Sequence, residues 1–357
     1  GVRGSILRWF KSYFSNRIQR MNVNGTFSSN IVYIIIGILQ GSILGVLLFI
    51  IYINDIYKAC PSILSNLFAD DNIGIIIGQS VNEIIETATL ELPLLMEWYS
   101  SNKLLIHPGK TRGILFTSPR FVINLPYIND QLQFPVCLDM NNHDENIPDK
   151  VSPLTMVPNP NEPAYKFLGI QLDSKINFKY HFKNLHIRVS RAIFTIKQMR
   201  HLLDGKHLKL LYSAYVKSII EYACANFTHV SASVREPIFL LQKRLVRLIT
   251  NAPFLAHTAE LFRRERILPI DQLIEYNACK FMFEYRQGTL PSVFNNTWQF
   301  NDPNANYRLR NAADFTVRRP PAQYLSNQPY YYFPRAWNSL PNHIKIIPTK
   351  KAFLNAL

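Results

Sequence analysis

The sequence predicts an α+β protein, in which short antiparallel hairpins with flanking helices are followed by a mainly helical region. Two apolar runs around Phe68-Ala69-Asp70-Asp71 predict the central hairpin. From His181 onward the apolar residues recur with the period of a helix. The intervening segment, Ser118 to Pro163, contains eight prolines and predicts an extended connector. At 357 residues, 48% of them hydrophobic, the chain exceeds one typical domain.

The central hairpin places two acidic residues at its closed end. The runs Ser62 to Phe68 and Ile73 to Ile77 are rich in apolar and β-branched residues, and Asp70, Asp71 and Asn72 between them favour a turn. Two adjacent carboxylates at such a turn can hold a divalent metal where a nucleic-acid end meets a triphosphate. A solvated surface turn is the alternative interpretation.

A glycine-rich segment lies about 30 residues before the two acids. Asn30 to Ile36 predicts a strand, glycines at 37 and 41 allow close approach of a nucleotide, and Ser42 can cap a helix that extends to about Ala59. A transmembrane span over residues 31–53 competes with this interpretation, because 23 residues suffice to cross a bilayer. The β-branched first half and the central Gln40 argue against a span, so the segment is predicted not to be transmembrane.

Charge and cysteine content indicate an intracellular protein with a polyanionic partner. The formal net charge is +15 and the isoelectric point is near 9.6. The segment from Ser118 to Pro163 opposes this trend, with six acidic against two basic residues. The cysteines are widely spaced and suggest neither a zinc site nor a disulfide framework. No signal peptide is recognised, which favours the nucleus or cytoplasm and no stable membrane association.

The segment Gly37 to Phe49 and the Asp-Asp hairpin together resemble the reverse transcriptases of non-LTR retrotransposons. That family carries the pattern G-x-P-Q-G-S-x-L-G-P-L-L-F, followed by F-A-D-D. Leu39 and Val46 replace the two prolines of the pattern here. The resemblance implies a partial right-hand polymerase palm, made of an antiparallel sheet with flanking helices, then a helical thumb and a helical or irregular C-terminal region.

The resemblance assigns roles to the matching residues. Asp70 and Asp71 would be catalytic and hold Mg²⁺ or Mn²⁺, and Gln40, Gly41, Ser42 and Phe68 would contact the incoming nucleotide and the template. Asn102 to Thr111 resembles the N-K-L-x-x-N-x-x-K-T segment, in which Lys110 would neutralise the departing pyrophosphate. Tyr165 to Asp173 resembles the hairpin that grips the primer, through Leu168 and Gly169. The implied partners are an RNA template, a DNA primer and deoxynucleoside triphosphates.

The helical region has an apolar face and a basic remainder. The apolar face contains Leu185, Val189, Ile193, Ile196 and Leu203. Between Ile176 and Thr250 there are 13 Lys and Arg against three acidic residues, as a surface along a nucleic-acid duplex requires. The candidate contacts on the first helix are Lys183, Arg188, Arg191, Lys197 and Arg200. A solvated basic helix face is the alternative.

Further helices are predicted over 208–223, over Pro237 to Thr250 with the proline in the first turn, and around 258–266 and 271–287. The tail from Tyr330 to Pro341 resembles the ending W-N-S-L-P of animal elements of this group, and packing of Trp337 is the expected role. The predicted division is a palm over 1–117, the connector over 118–163, the primer-grip hairpin over 164–179, the thumb over 180–250 and the C-terminal region over 251–357.

The chain opens inside the family's G-I-x-G-x-x-x-x-W-F-x-S-Y-L-x-N-R segment, at Gly1 to Arg17. The family's third metal-binding carboxylate precedes that segment, so this chain is expected to be an N-terminally truncated fragment with little polymerase activity alone. The function predicted by resemblance is RNA-directed DNA polymerase with two-metal nucleotidyl transfer. The alternatives are a catalytically dead nucleic-acid-binding remnant and, less favoured, a single-span membrane protein.

Overall fold

A computed structural model describes residues 2–28, 30–34, 37–38, 41–107, 110–117, 133–136, 150–159, 161–301 and 314–357. Gln40 and most of the predicted connector lie outside the described residues. Contacts divide the chain into two compact units, one of Gly1–Gly113 with Arg120–Met156 and one of Ile114–Pro119 with Val157–Leu357. The finer five-part division stays a prediction.

The first unit combines helices with small antiparallel strand pairs. Its described helices are α1 (Gly4–Phe14), α2 (Ile43–Ile53) and α3 (Val81–Ser101). Its described pairs are β1 (Ile18–Gln19) with β4 (Val32–Tyr33), β2 (Asn22–Val23) with β3 (Thr26–Phe27), β5 (Leu64–Phe68) with β6 (Asp71–Ile75), and β8 (Gln133–Val136) with β9 (Lys150–Pro153). Two more short strands, β7 (Gly113–Ile114) and β10 (Met156–Val157), lie at the two points where the chain leaves this unit.

The helix that follows Ser42 is shorter than the sequence predicts. It ends at Ile53 instead of near Ala59, and a 3₁₀ turn, Ile56–Lys58, follows it. The change of direction lets Ile56 reach the small core of this unit, where it is 1% exposed and lies with Cys60, Ile63 and Leu95. Burial of that side chain therefore outweighs continuation of the helix.

Ser80 and Glu83 have the spacing of a capping box, which predicts the start of α3, and Pro93 is expected to kink or split that helix. The Ser80 Oγ accepts a hydrogen bond from Glu83 N at 3.2 Å, and Glu83 Oε2 accepts one from Gln79 N at 2.7 Å. Pro93 lies within one uninterrupted helix, so the expectation that it could split the helix is wrong. Buried residues on both sides of Pro93, Ala88 and Leu95, hold the two halves on the same core.

The second unit is mainly helical. Its hairpin pairs β11 (Tyr165–Phe167) with β12 (Ile170–Leu172). Its described helices are α4 (Lys179–Met199), α5 (Gly205–Tyr212), α6 (Ser218–Glu221), α7 (Ala232–Thr250), α8 (Thr258–Glu265), α9 (Ile270–Arg286), α10 (Pro329–Asn338), α11 (Asn342–Lys345) and α12 (Lys350–Ala356). A π-helical stretch, Ser213–Lys217, connects α5 to α6.

The first core of this unit forms where α4 packs on α7. Leu185, Val189 and Ile196 of α4 are buried there, and Ile193 and Leu203 pack against the same cluster. The predicted apolar face is therefore confirmed. Helix α7 begins at Ala232, five residues before the predicted start at Pro237, because Ser231 already has the extended backbone of an N-cap and Val234 packs on the core.

The C-terminal residues build a second core around α9, α10 and α12. Trp337 is fully buried, with its ring 5.7 Å from that of Phe353. The Asn338 side-chain amide donates to Phe315 O at 2.8 Å and accepts from Phe315 N at 2.9 Å. It thus satisfies both backbone groups of Phe315, as a neighbouring strand would. Because Trp337 has no exposed surface, the W-N-S-L-P ending serves packing, as expected, and its tryptophan cannot stack on a nucleobase.

A buried ion pair closes the second core. Lys345 Nζ lies 2.6 Å from Asp314 Oδ1 and also donates to Asn338 O at 2.8 Å. Lys345 is 1% exposed and Asp314 is 5% exposed. A buried ion pair is stable only if its other donors and acceptors also form hydrogen bonds, and the Asn338 carbonyl accepts one of the remaining Lys345 protons.

The predicted α+β class is confirmed at the level of helices combined with small antiparallel sheets. Each sheet among the described residues has two strands. The assignment of these parts to a palm and a thumb stays a prediction.

Candidate metal-binding hairpin and nucleic-acid surface

The two predicted metal ligands lie at the closed end of the β5–β6 hairpin. Phe68 pairs with Asp71, so the turn consists of Ala69 and Asp70 alone. Ala69 has a φ of +54°, in the left-handed region that tight hairpin turns require. Asp71 and Asn72 therefore belong to β6 and not to the turn, which corrects the sequence prediction.

Asp70, Asp71 and Phe68 are all exposed, and Phe68 keeps 62% of its surface in solvent. The hairpin end thus exposes the carboxylates of two consecutive residues, Asp70 and Asp71, and Phe68 is the cross-strand partner of Asp71. Among the described residues, no group of three or more His, Cys, Asp or Glu is placed to hold a metal ion. The hairpin offers two hard oxygen ligands, which suits a cation that retains water or substrate oxygens.

The hairpin is fastened to α3 by contacts that the sequence did not reveal. Asn72 Nδ2 donates to the Tyr99 hydroxyl at 2.8 Å, and burial raises the pKa of Tyr99. On the same strand, a Cβ at Gly74 would lie 2.7 Å from Ile63 Cγ2, so β6 needs glycine there. These contacts hold the strand that carries Asp71, and the only local signal was the position of Asn72 next to the acids.

The glycine-rich segment is described from Gly41 onward. Gly41 has a φ of +81°, and Ser42 Oγ accepts from Gly45 N at 3.0 Å, which confirms the predicted helix cap. The Tyr13 hydroxyl also donates to Ser42 Oγ at 3.0 Å. Tyr13 belongs to the W-F-K-S-Y segment of α1, so two of the motifs that carried the resemblance meet at this serine. Gln40 lies outside the described residues.

Helix α2 and strand β4 occupy the segment considered as a membrane span. The 11 residues of α2 extend about 16 Å, against a bilayer core of roughly 30 Å. Within the part of the chain that the structure describes, no helix is both long and apolar enough to cross a membrane.

Lys110 is exposed in the loop that follows α3. Its backbone N–H donates to His107 O at 3.0 Å, and Thr111 N donates to the same oxygen at 3.1 Å. Two backbone hydrogen bonds thus hold Lys110 and Thr111 next to His107, while Lys110 remains exposed.

The predicted primer-grip hairpin forms in the second unit with Leu168 and Gly169 as its two-residue turn. Both have positive φ, +43° and +84°. The Tyr222 hydroxyl donates to Leu168 O at 2.5 Å and fixes the turn from the side. The hairpin shape is as predicted, and its contact with a primer stays a prediction.

The last residue of that motif, Asp173, has a structural task that sequence reasoning missed. It is 5% exposed, and its carboxylate accepts from the backbone N–H groups of Lys175, Asn177 and Phe178 at 3.1, 3.2 and 2.9 Å. The carboxylate therefore folds the loop between the hairpin and α4.

Helix α4 presents the predicted basic side chains. It contains no acidic residue, and Lys183, Arg188, Arg191, Lys197 and the following Arg200 are all exposed. His181 lies on the opposite, buried face, where Gln171 N donates to its Nδ1 at 3.4 Å. Burial, with a contribution from Arg188, lowers the pKa of His181 to about 4, so this histidine is neutral and serves packing.

The described cysteines are free thiols inside the two units. Cys60, Cys224 and Cys279 are buried. Burial raises the pKa of Cys60 to about 11 and that of Cys224 and Cys279 to about 12. Thiols of this kind are poor nucleophiles, so none of the three is a catalytic candidate.

No protein-family profile and no solved structure matches the chain. Two curated proteins of Drosophila melanogaster do. The RNA-directed DNA polymerase from mobile element jockey is 22% identical over 285 residues, which are 76% of this chain and 28% of that protein. The probable RNA-directed DNA polymerase from transposon X-element is 21% identical over 319 residues, which are 87% of this chain and 32% of that protein.

The chain thus spans about a third of the length of these relatives, or slightly less. The matched portion is most of this chain, and it agrees with the family that the motifs predicted. The chain is a homologue of the RNA-directed DNA polymerases of Drosophila mobile elements.

Proposed function

We propose that this chain supplies the metal-binding hairpin and part of the nucleic-acid surface of an RNA-directed DNA polymerase that acts by two-metal nucleotidyl transfer. The observation that carries the proposal is the exposed pair Asp70 and Asp71 at the closed end of β5–β6. The polymerase activity named for the relatives is part of this proposal, because the chain spans only 28% and 32% of their length.

The acid pair fits Mg²⁺ or Mn²⁺. Magnesium usually retains several waters and is held by one or two carboxylates together with substrate phosphates, and the hairpin offers two such carboxylates with open solvent around them. When bound, the metal would lower the pKa of a primer hydroxyl and stabilise the leaving pyrophosphate. Asp70 and Asp71 keep the site negative, and the Asn72–Tyr99 bond keeps β6 in place.

The other residues of the first unit act on the nucleotide. Gln40, Gly41 and Ser42 contact the incoming nucleotide and the template base, with the left-handed Gly41 leaving space next to the backbone. Phe68, exposed opposite Asp71, packs on the nucleotide. Lys110 neutralises charge on the departing pyrophosphate.

The second unit holds the primer and its duplex. The rigid Leu168–Gly169 turn presents backbone groups to the primer end, as its two left-handed residues allow. The acid-free helix α4 binds phosphates through its exposed lysines and arginines. In these terms the first unit is the palm and the second contains the primer grip and thumb, and the protein acts in the nucleus or cytoplasm, where templates and nucleotides are present.

Metal binding by the chain tests the acid pair directly. Mn²⁺ binding is measured by electron paramagnetic resonance for the wild type, Asp70→Asn and Asp71→Asn. Either variant should bind about tenfold or more weakly, because the charge of the ligands sets affinity for hard cations. Glu86→Gln is the matched control, since Glu86 is an exposed acid of the same unit and its loss should leave binding unchanged. Equal Mn²⁺ affinity in all four proteins would contradict the proposal.

Primer extension tests the reaction. We would replace the aligned portion of the jockey polymerase by this chain and assay DNA synthesis on an RNA template. The chimera should extend the primer only in the presence of Mg²⁺ or Mn²⁺, and Asp70→Asn should abolish extension while template–primer binding persists. A chimera that binds template–primer normally yet never extends it would reject the polymerase assignment and favour a binding remnant.

A further inference from the structure

A second surface in the helical unit combines exposed apolar side chains with positive charge. It consists of the turn after α4, residues 200–204, and the loop between α7 and α8, residues 251–257. Leu202, Phe254 and Leu255 are 76%, 77% and 86% exposed, and they are three of the four most exposed large apolar side chains among the described residues of this unit. Folding alone gives no reason to leave them in water.

The turn and the loop are neighbours. The Arg200 guanidinium donates to Asn251 Oδ1 and joins the end of α4 to the end of α7. A Cβ at Gly205 would lie 3.3 Å from Ile249 O, so the start of α5 also lies against α7. Leu202 thus lies on a segment that adjoins the one that carries Phe254 and Leu255.

The loop is held in one conformation by Arg247. Its Nε and Nη2 donate to Ala256 O at 3.0 and 2.9 Å, and Ala256 N donates to Pro253 O at 3.0 Å. The Arg247 guanidinium also lies 5.9 Å from the centre of the Phe254 ring. Phe254 therefore lies on a loop that hydrogen bonds hold, and it still exposes most of its surface.

The segments around the turn and the loop are strongly basic in sequence. Residues 197–209 and 243–257 together contain seven Lys and Arg and one acid, Asp204. Lys197, Arg200, Lys206 and Arg244 among them are exposed. An exposed aromatic ring on basic segments is the combination that binds single-stranded nucleic acid, because the cations follow the backbone while a base stacks on the ring.

We infer that Phe254, with Leu255 next to it and Leu202 on the adjoining turn, is a stacking site for single-stranded RNA or DNA. This site differs from the duplex contact proposed for α4, although Arg200 belongs to both. The bases of a duplex are already stacked on each other and cannot cover the ring, so the site selects unpaired strands. The inference rests on the proposed function only in that the chain must bind nucleic acid.

Fluorescence anisotropy of the whole chain with labelled oligonucleotides tests the inference. The probes are oligo(dT), oligo(U) and a dT·dA duplex, each of about 15 nucleotides, a length close to the upper end of typical single-strand site sizes. Phe254→Ala should weaken binding of the single strands about 5- to 100-fold, with the salt dependence unchanged. Binding of the duplex should change less than about twofold.

Two variants serve as controls. Val293→Ala removes an equally exposed apolar side chain, at 78%, from the 3₁₀ helix Ser292–Phe294 of the same unit and should bind all probes like the wild type. Arg244→Gln should weaken the binding of single strands and of the duplex to the same extent, and it should reduce the salt dependence of binding. Because Phe254 and Val293 are exposed, their variants should unfold at the wild-type temperature, so a change in binding is not a change in folding.

Single-strand affinity unchanged in Phe254→Ala, or lowered equally for the duplex, would overturn the stacking site while leaving the proposed function intact. Loss of binding to phosphatidylserine vesicles without loss of binding to oligonucleotides would assign the surface to membranes and also overturn it. If the wild-type chain binds neither single strands nor duplex, the inference and the proposed nucleic-acid surface both fail.

Discussion

Breaking the buried Lys345–Asp314 pair should destabilise the second unit more than any surface change. In Lys345→Met the side chain keeps its length but loses its charge. The Asp314 carboxylate, 5% exposed and formerly 2.6 Å from Lys345 Nζ, then has to remain charged without its partner or take up a proton. Asn338 O loses a hydrogen-bond donor at the same time.

The size of the effect follows from the burial of both groups. Removal of one partner of a fully buried pair costs about 3–5 kcal/mol of unfolding free energy, whereas replacement of both by apolar residues is often close to neutral. We therefore expect Lys345→Met to lose about 3–5 kcal/mol and the double variant with Asp314→Leu to recover most of it. A typical domain has only about 5–15 kcal/mol in total, so the single variant should be partly unfolded at moderate urea.

Urea unfolding followed by tryptophan fluorescence is the assay, because Trp298 and Trp337 both lie in this core. Lys350→Met is the matched control: Lys350 lies 2.6 Å from Glu284, but its side chain is 54% exposed. That surface pair should contribute at most about 1 kcal/mol. The reasoning is refuted if Lys345→Met costs no more than Lys350→Met, or if the double variant is no more stable than the single one.

Three further changes test other contacts. Asp173→Ala removes the acceptor of three backbone N–H groups and should lower the unfolding free energy, measured in urea, by about 2–4 kcal/mol. Asp173→Asn keeps one acceptor oxygen and should lower the unfolding free energy by less. Since the folded pKa of His181, about 4, lies below its unfolded value, the neutral form stabilises the fold, and this stability is lost as the pH falls through 6.5 toward 4. The unfolding free energy of the wild type should therefore fall between about pH 7 and about pH 4.5, and the fall in His181→Gln should be smaller by up to about 2 kcal/mol. Equal falls in the two proteins would contradict the burial of a neutral histidine. Tyr99→Phe leaves Asn72 Nδ2 without its acceptor and should cost about 1–2 kcal/mol, seen as faster amide exchange in β5 and β6 with α1 unchanged.

Much of the candidate site was predictable because its parts are local. Turn-forming residues marked the hairpin at Ala69–Asp70, the family resemblance marked the hairpin at Leu168–Gly169, and Ser42 marked the start of α2. The buried face of α4 followed from the helical period, since a buried stripe repeats with the turns of the helix. Each of these signals lies within a few residues of the feature that it predicts.

The failures occurred where packing at a distance overruled a local signal. Helix α2 ends early because Ile56 enters a core, and α3 continues through Pro93 because residues on both sides are buried. Helix α7 starts before Pro237, as the packing of Val234 requires. None of these contacts is visible in the local sequence.

The sequence by itself determined the acid pair, its neighbouring motifs, the basic helix and the kinship with mobile-element polymerases, because each depends on which residues follow one another. Only the tertiary structure decided which side chains support or surround them. Asn72 meets Tyr99, Asp314 meets Lys345 and Arg200 meets Asn251 across separations of 27, 31 and 51 residues. Such partners are chosen by the packing of whole helices and strands, and the free energy of that packing is a property of the folded chain.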